Sequence, residues 1–160
     1  MPELSIREAS PGDVPALLRL AEESNAFHAT GAPDIWRTET GGTRAPFEDA
    51  MADPESAVFV AEVDGVVVGV LVASVQTLGD KGPLAPRRFV HVSELAVTEH
   101  ARRGGVGRRL MKRVERWARS RGLNRIELSV AGFNGEASAF YDGLGYATVT
   151  RRLFKVLPDG

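Results

Sequence analysis

The spacing of apolar residues near the start of the chain predicts a strand followed by a helix. Apolar side chains lie two or three positions apart at 4–9 and at helical spacing over 14–21, and the turn 10–13 between them can cap the helix. The next stretch, 25–43, has no clean periodicity and contains four Gly or Pro residues, which indicates a loop. A second helix is predicted near 47–51.

Longer strand-like runs dominate the middle of the chain. Residues 57–63 and 66–78 are rich in β-branched side chains and flank Asp64-Gly65, a pair that suits the positive φ angles of a tight turn. We therefore predict a long antiparallel hairpin. Residues 89–97 are typical of a mostly buried strand, and apolar residues then recur at helical spacing over 106–118.

Three further elements complete the predicted order. Alternation over 126–130 indicates a strand, 136–144 fits a short helix ended by Gly145, and 146–156 returns to a strand pattern. The order β-α-α-β-β-β-α-β-α-β implies an α/β fold in which helices cover a mixed sheet. Because no repeat, linker or low-complexity tract interrupts it, we expect residues 1–160 to form a single domain.

Composition restricts the chemistry that the chain can perform. Its 160 residues include 20 Lys or Arg and 21 Asp or Glu, so the totals suggest neither disorder nor general nucleic-acid binding. Because there is no cysteine, a disulfide framework, a thiolate metal site and a cysteine-linked covalent intermediate are excluded. Without a signal-like N-terminus or an apolar run near the roughly 20 residues that span a bilayer, we expect a cytoplasmic protein with no membrane partner.

Charge is distributed unevenly along the chain. Residues 101–121 carry nine basic side chains and one acidic, whereas residues 1–86 carry five basic and 14 acidic. Within the basic segment, Arg102-Arg103-Gly104-Gly105-Val106-Gly107 joins a strand to a helix, where glycines let backbone N–H groups approach a ligand closely. We expect an anion site there, the alternative being a solvated basic helix face. The glycine spacing matches neither the nucleoside triphosphatase phosphate loop nor the dinucleotide fingerprint.

Two motifs in this order resemble those of the GNAT N-acetyltransferase superfamily. The run 92–97, followed by Arg102-x-x-Gly105-x-Gly107 and a helix, is similar to the cofactor-binding motif of that family. Downstream residues resemble the family's asparagine, its helix-borne tyrosine and its closing Gly-aromatic turn: Asn134, Ala139, Phe140, Tyr141 and Leu144-Gly145-Tyr146. The resemblance covers about 89–152. It implies a central mixed sheet with helices on both faces and strands that splay apart at an acetyl-coenzyme A site.

The same resemblance implies which residues bind acetyl-coenzyme A, with no metal involved. The backbone of Leu95, Ala96 and Val97 is expected to bind the pantetheine arm as an added strand does. Backbone amides of the following turn are expected to hold the pyrophosphate. The cofactor residues assigned to that turn are Arg102, Arg103, Gly104, Gly105, Val106, Gly107 and Arg108. For Asn134 two interpretations are open, a contact with the pantetheine region or a helix N-cap.

Acetyl transfer to an amine needs one group that deprotonates the nucleophile and another that protonates the departing thiolate. By the resemblance Tyr141 is the proton donor, the alternative being a core aromatic residue. Glu94 is the first candidate for the base, because a carboxylate in an apolar strand is costly to bury unless it faces a cleft. His91 is the second candidate. Strict strand alternation puts these two side chains on opposite faces unless a bulge intervenes.

The remaining histidines and tryptophans carry less information. His28 lies in the stretch without periodicity and matches no motif, and His100 lies in a polar loop, so neither indicates a metal site. Trp36 either lines a substrate pocket or covers the core. Trp117 is expected in the core, because it lies on the apolar stripe of its helix.

The predicted function is transfer of an acetyl group from acetyl-coenzyme A to a primary amine by direct attack in a ternary complex. Residues 1–86 are expected to form mainly the acceptor side and residues 87–156 mainly the acetyl-coenzyme A side. One alternative is a non-catalytic coenzyme A-binding or regulatory module of the same fold, which intact Glu94 and Tyr141 argue against. A second alternative is a nucleic-acid binder. This interpretation is disfavoured because no aromatic residues interleave with the arginines. The acceptor and the oligomeric state, a homodimer included, are left open.

Overall fold

The computed structural model describes residues 2–37, 44–79 and 81–160. By its internal contacts the chain divides into two compact units, Met1–Ser129 and Val130–Gly160, and each is described by itself. The first unit contains a five-stranded sheet whose strands lie side by side in the order in which they occur along the chain. The single domain expected over 1–160 stays a prediction.

The first three strands form the antiparallel part of the sheet. They are β1 (Leu4–Glu8), β2 (Ser56–Val63) and β3 (Val66–Leu78). Asp64 and Gly65 join β2 to β3 with φ angles of 51° and 81°, the left-handed values that a tight two-residue turn requires. The predicted hairpin is therefore confirmed.

The last two strands make the sheet mixed. β4 (Arg87–Val97) pairs antiparallel with β3, and β5 (Ile126–Leu128) runs parallel to β4. β5 ends two residues before the predicted strand does, and its pairing with β4 covers only Val90–Val92. The second half of β4 therefore extends beyond the β5 ladder.

Helices cover both faces of the sheet. One face carries α1 (Val14–Gly31) and α2 (Ala45–Ala52), and the other carries α3 (Val106–Ser120). The buried cluster between α1 and the sheet consists of Leu17, Leu20, Val58, Val60, Val67, Val70 and Ala96. The predicted helices near 47–51 and over 106–118 are confirmed, and Trp117 is 8% exposed, in the core as expected.

Gly69 sets how closely α3 approaches the sheet. A Cβ atom at this position would lie 3.0 Å from Val106 Cγ1 and 3.2 Å from Leu110 Cδ1 of α3. Both distances are shorter than an ordinary carbon–carbon contact. The missing side chain therefore lets the first two turns of α3 pack directly on β3.

The helix α1 is longer than the sequence pattern indicates. It continues to Gly31, so the loop predicted to begin at residue 25 is wrong over its first seven residues. Ser24 and His28 interrupt the apolar periodicity in this part of the helix. They face the Glu94 carboxylate of β4 instead of an apolar side chain. Part of the predicted loop, 38–43, lies outside the described residues.

The second unit contains α4 (Gly135–Gly143), which confirms the helix predicted at 136–144. Gly145, with φ of 91°, follows the helix, and the Tyr146 N–H donates to the Tyr141 carbonyl oxygen at 3.0 Å. The strand predicted at 146–156 is wrong, because these described residues have no regular secondary structure. A β-branched run forms a strand only where a neighbouring strand completes its backbone hydrogen bonds, and residues 147–160 are exposed.

Candidate active site

A bulge interrupts the pairing of β4 with β3. Val72 of β3 pairs with Glu94, whereas the adjacent Ala73 pairs with Val92. Ser93 is therefore an extra residue without a partner in the ladder, which is the definition of a β-bulge. Its side chain is exposed.

The bulge brings the two candidate bases to the same face of β4. His91 pairs with Ser74 and Glu94 pairs with Val72. Because Ser74 and Val72 lie two apart in β3, their side chains share a face, and so do those of their partners. Val72 packs on the core cluster beneath α1, so this is the face that α1 covers. The sequence predicts that these two side chains lie on opposite faces unless a bulge intervenes. The bulge at Ser93 is present, so they share a face.

The Glu94 carboxylate is half-buried and contacts α1. Burial is the largest influence on this group and raises its pKa above the usual range. A hydrogen bond donated by the Ser24 hydroxyl and the charge of His28 act in the opposite direction. A carboxylate whose pKa is raised is a stronger base than an ordinary glutamate.

His91 lies beside an ion-paired carboxylate of β5. Its partner in the parallel ladder is Glu127, which accepts hydrogen bonds from Arg87 Nε at 2.6 Å and from Arg125 Nε at 2.7 Å. The bond from Arg87 is the main reason that the pKa of Glu127 is lowered to about 2. Glu127 therefore stays ionised and bound to two arginines, which makes it a link between β4 and β5 rather than a further base.

The backbone of β4 changes its role beyond the bulge. Leu95, Ala96 and Val97 pair with β3 on one side, whereas the β5 ladder on the other side ends at Val92. Within the described ranges no strand of the chain pairs with that outer edge of 95–97. An open strand edge presents N–H and C=O groups to an extended ligand. The predicted pantetheine segment thus has the backbone geometry that such a ligand needs.

A left-handed turn leads from β4 into α3. Arg103 and Gly105 have positive φ angles of 64° and 81°, and Gly105 is the N-cap residue of α3. Glycine has no side chain to accept hydrogen bonds, so the first amides of α3, at 106–108, receive no cap from it. The helix dipole and Arg108 add positive charge at this point. The chemistry of this donor set fits a pyrophosphate.

The side chain of Arg102 is used within the protein. Its Nε donates to the Val97 carbonyl oxygen at 3.0 Å, and its guanidinium lies 5.9 Å from the ring centroid of Phe27. One of its terminal nitrogens is 3.8 Å from a carboxylate oxygen of Glu23. These contacts fasten the turn to β4 and α1. Arg102 therefore shapes the predicted cofactor turn rather than extending from it.

Two predicted site residues belong to the second unit. Asn134 Oδ1 accepts a hydrogen bond from the Ala137 N–H at 3.0 Å, so Asn134 is the N-cap of α4. Tyr141 lies on α4 and is half-buried, and its ring makes edge contacts with those of Phe140 and Tyr146 at 5.0 and 5.6 Å. The N-cap interpretation of Asn134 is confirmed by its hydrogen bond.

Sequence reasoning missed the α1 residues that act on the Glu94 carboxylate. Ser24 and His28 follow Leu20 at intervals of four, so they continue the sheet-facing stripe of the helix. The signal was the helical spacing of polar residues, which is easily taken for the end of a helix. His100, by contrast, is exposed in a 3-10 turn, as its polar surroundings in the sequence predicted.

The described residues offer two further findings. Across 2–37, 44–79 and 81–160, no group of three or more His, Asp or Glu side chains is placed to hold a metal ion. None of the helices in that part of the chain is both long and apolar enough to cross a membrane.

The mixed open sheet, the bulged strand and the glycine turn that leads into α3 agree with the fold that the sequence resemblance implies. The chain belongs to the Acetyltransferase (GNAT) family, whose model matches residues 17–146. It is accordingly an acetyltransferase, and acetyl-coenzyme A is its acetyl donor.

Named acetyltransferases and a solved structure are similar to this chain. An IAA acetyltransferase of Azospirillum brasilense is 29% identical over 147 residues, covering 92% of this chain and 86% of the relative. A thialysine N-epsilon-acetyltransferase of Caenorhabditis elegans is 33% identical over 64 residues, which is 40% of each protein. A crystal structure of a mutant of the BH1408 protein from Bacillus halodurans superposes with a TM-score of 0.89 at 27% identity, covering 96% of this chain and 99% of that one.

Proposed function

We propose that this acetyltransferase acts on a primary amine that arrives as a cation, and that the amine attacks the thioester directly in a ternary complex. The observation that carries the proposal is the bulge at Ser93. It sets Glu94 and His91 on one face of β4, while the backbone at 95–97 offers a free edge immediately beyond them. A base and an extended ligand would then meet on one strand.

The proposed cofactor contacts are made mainly by backbone groups. Acetyl-coenzyme A supplies the acetyl group as an activated thioester. The free edge at 95–97 binds the pantetheine arm by main-chain hydrogen bonds, and the amides at 103–108 hold the pyrophosphate. Asn134 contacts the pantetheine region through its side-chain N–H₂ group, which its cap does not use.

Side chains are proposed for both proton transfers, from the amine and to the departing thiolate. The amine attacks in its neutral form, so it must lose a proton first. Glu94 accepts that proton, and its half-buried position beneath α1 supports this role. His91, on the same face, is the alternative base. Tyr141 donates a proton to the departing thiolate sulfur. Because the chain has no cysteine, no acetyl-cysteine forms on the way.

A cationic acceptor is supported by charge and by one relative. Residues 1–86 carry 14 acidic and five basic side chains, and this part of the chain includes α1, which faces Glu94. A surplus of carboxylates attracts a protonated amine over a distance. The relative named as a thialysine N-epsilon-acetyltransferase fits an acceptor of the side-chain amine class.

An acceptor panel tests this substrate class. Acetyl-coenzyme A turnover would be read by release of free thiol with polycationic, neutral and anionic primary amines at low and high salt. We expect the highest kcat/KM for polycationic amines, and we expect that preference to shrink as salt screens the carboxylates. Equal rates for all three classes, independent of salt, would contradict a cationic acceptor.

The pH dependence of the same reaction tests the base. A carboxylate base is active above its pKa, so kcat/KM should fall as the pH falls through the raised pKa of Glu94. Glu94→Gln should lower kcat/KM by roughly 100-fold and remove this acidic limb, whereas His91→Gln should retain it. The opposite result would assign the base to His91.

A further inference from the structure

The sheet-facing stripe of α1 changes from apolar to polar along the helix. Leu17 and Leu20 are buried against the sheet, and Ser24 and His28 continue the stripe at helical spacing. The polar end of the stripe meets the carboxylate of Glu94 on β4. Two polar side chains of a helix are therefore matched to one acidic group of the sheet.

The contacts of His28 fix both its position and its tautomer. Its Nδ1 lies 2.8 Å from the Ser24 carbonyl oxygen. A backbone carbonyl can only accept, so Nδ1 carries the hydrogen and donates it to this oxygen. The ring packs 5.1 Å from Trp36 and 5.6 Å from Phe27, measured between ring centroids. The imidazole is therefore held by its own helix and by two aromatic neighbours.

Ser24 is the residue that joins the two ionisable groups. Its hydroxyl donates to the Glu94 carboxylate, while its carbonyl oxygen accepts from His28.

Other side chains lie near Glu94 on β3, β4 and α1. Val72, its partner across β3, carries no charge, and His91 lies on the same face of β4. The neighbouring carboxylate of α1, Glu23, accepts hydrogen bonds from the Thr98 hydroxyl at 3.0 Å and the Glu99 N–H at 2.8 Å. Glu23 is also the carboxylate near Arg102. Ser24 and His28 are thus the groups of α1 that act on Glu94.

On the basis of the proposed role of Glu94 as the base, we propose that Ser24 and His28 are positioning residues of the acetyl-transfer reaction. Ser24 orients the Glu94 carboxylate, and His28, the next residue of the same stripe, favours its ionised form, which accepts the proton of the acceptor amine.

The sign of the effect follows from the forces on the carboxylate. Burial favours the protonated form of Glu94, which cannot accept a proton, whereas the Ser24 hydrogen bond and the His28 charge favour the ionised form. Ser24→Ala and His28→Gln should each raise the pKa of Glu94 and move the acidic limb of kcat/KM to higher pH. At the acidic end we expect about a tenfold loss of kcat/KM, the size of one charge-assisted hydrogen bond, with recovery toward wild type at alkaline pH.

Two measurements on the intact protein test this inference. The first is the pH profile of kcat/KM for wild type, Ser24→Ala and His28→Gln. The second is an NMR titration of the Glu94 side-chain carboxyl, identified by the loss of its signal in Glu94→Gln. Ser24→Thr keeps the hydroxyl and should restore the wild-type titration. Thr30→Ala removes a hydroxyl from an exposed position of the same helix and should change neither measurement.

The outcomes separate this inference from the proposed function. If Glu94→Gln keeps full activity and its acidic limb, the base assignment fails, while the titration still reports whether α1 controls the carboxylate. If the Glu94 titration midpoint is the same in wild type, Ser24→Ala and His28→Gln, the positioning role is overturned. Should His28→Gln fail to fold, Ser24→Ala alone decides the question, since it leaves the aromatic packing of His28 in place.

Discussion

Gly69→Ala should show how tightly the position of α3 depends on a missing side chain. The new methyl group would lie 3.0 Å from Val106 Cγ1, 3.2 Å from Leu110 Cδ1 and 3.4 Å from Ala61 Cβ. Overpacking of this kind costs about 1–3 kcal/mol, and replacing a strand glycine by alanine returns about 0.5–1 kcal/mol. We therefore expect a net loss of about 1–2 kcal/mol in the free energy of unfolding.

Calorimetric unfolding measures this loss. For a chain of this size 1 kcal/mol corresponds to about 2–4 °C, so the Tm of Gly69→Ala should fall by about 2–8 °C. Affinity for coenzyme A should fall as well, because the methyl group pushes against the first turn of α3. Gly12→Ala is the matched control, since a Cβ atom there meets nothing within 4 Å.

A second variant decides whether the clash is with α3. Val106→Ala removes the nearest methyl group, so the double variant Gly69→Ala/Val106→Ala should lose less stability than the sum of the two single variants. A coupling of about 0.5 kcal/mol or more is expected for groups in contact. An unchanged Tm in Gly69→Ala, or strictly additive losses, would refute the packing argument.

Three further predictions address the cofactor turn, the proton donor and the fold. Gly105→Glu should abolish coenzyme A binding in calorimetry, because it puts negative charge at the proposed pyrophosphate site; Gly105→Ala imposes the same backbone strain without the charge and should bind measurably. Tyr141→Phe should lower kcat by roughly 100-fold and leave the Kd for coenzyme A unchanged. A kcat equal to that of the wild type would mean that Tyr141 is a packing residue and not the proton donor. Arg7 holds the pKa of Asp13 at about 2, so this pair stabilises the fold above the unfolded pKa near 4 and loses its effect as the pH falls toward 2. Asp13→Asn should cost about 1–2 kcal/mol at pH 7 in denaturant unfolding and almost nothing at pH 2.

The elements that the sequence predicts correctly are those with a local signal. Asp64-Gly65 adopts the positive φ angles that its residue types favour, and the basic turn between β4 and α3 contains the left-handed Gly105. These features depend on backbone preferences of single residues and on short-range periodicity. Tertiary partners are not needed to recognise them.

The features that the sequence does not predict depend on contacts distant along the chain. The bulge at Ser93 is visible only in the register between β4 and β3. Ser24 and His28 look like the end of a helix until Glu94 is placed opposite them. The run 146–156 has strand-like composition, but composition cannot supply the neighbouring strand that a ladder requires.

The bulge gives β4 one residue more than its ladder with β3 needs. Ser93 is exposed, and its Oγ makes only a long contact of 3.4 Å with the Val72 carbonyl oxygen, so many side chains could replace it. Deleting it would leave Glu94 paired with Val72 in a regular ladder, on the face that α1 covers. Because His91 and Glu94 lie three apart along the chain, the extra residue is what puts their side chains on one face. A chain without this residue would have the two side chains two apart in a regular strand, and they would again share a face.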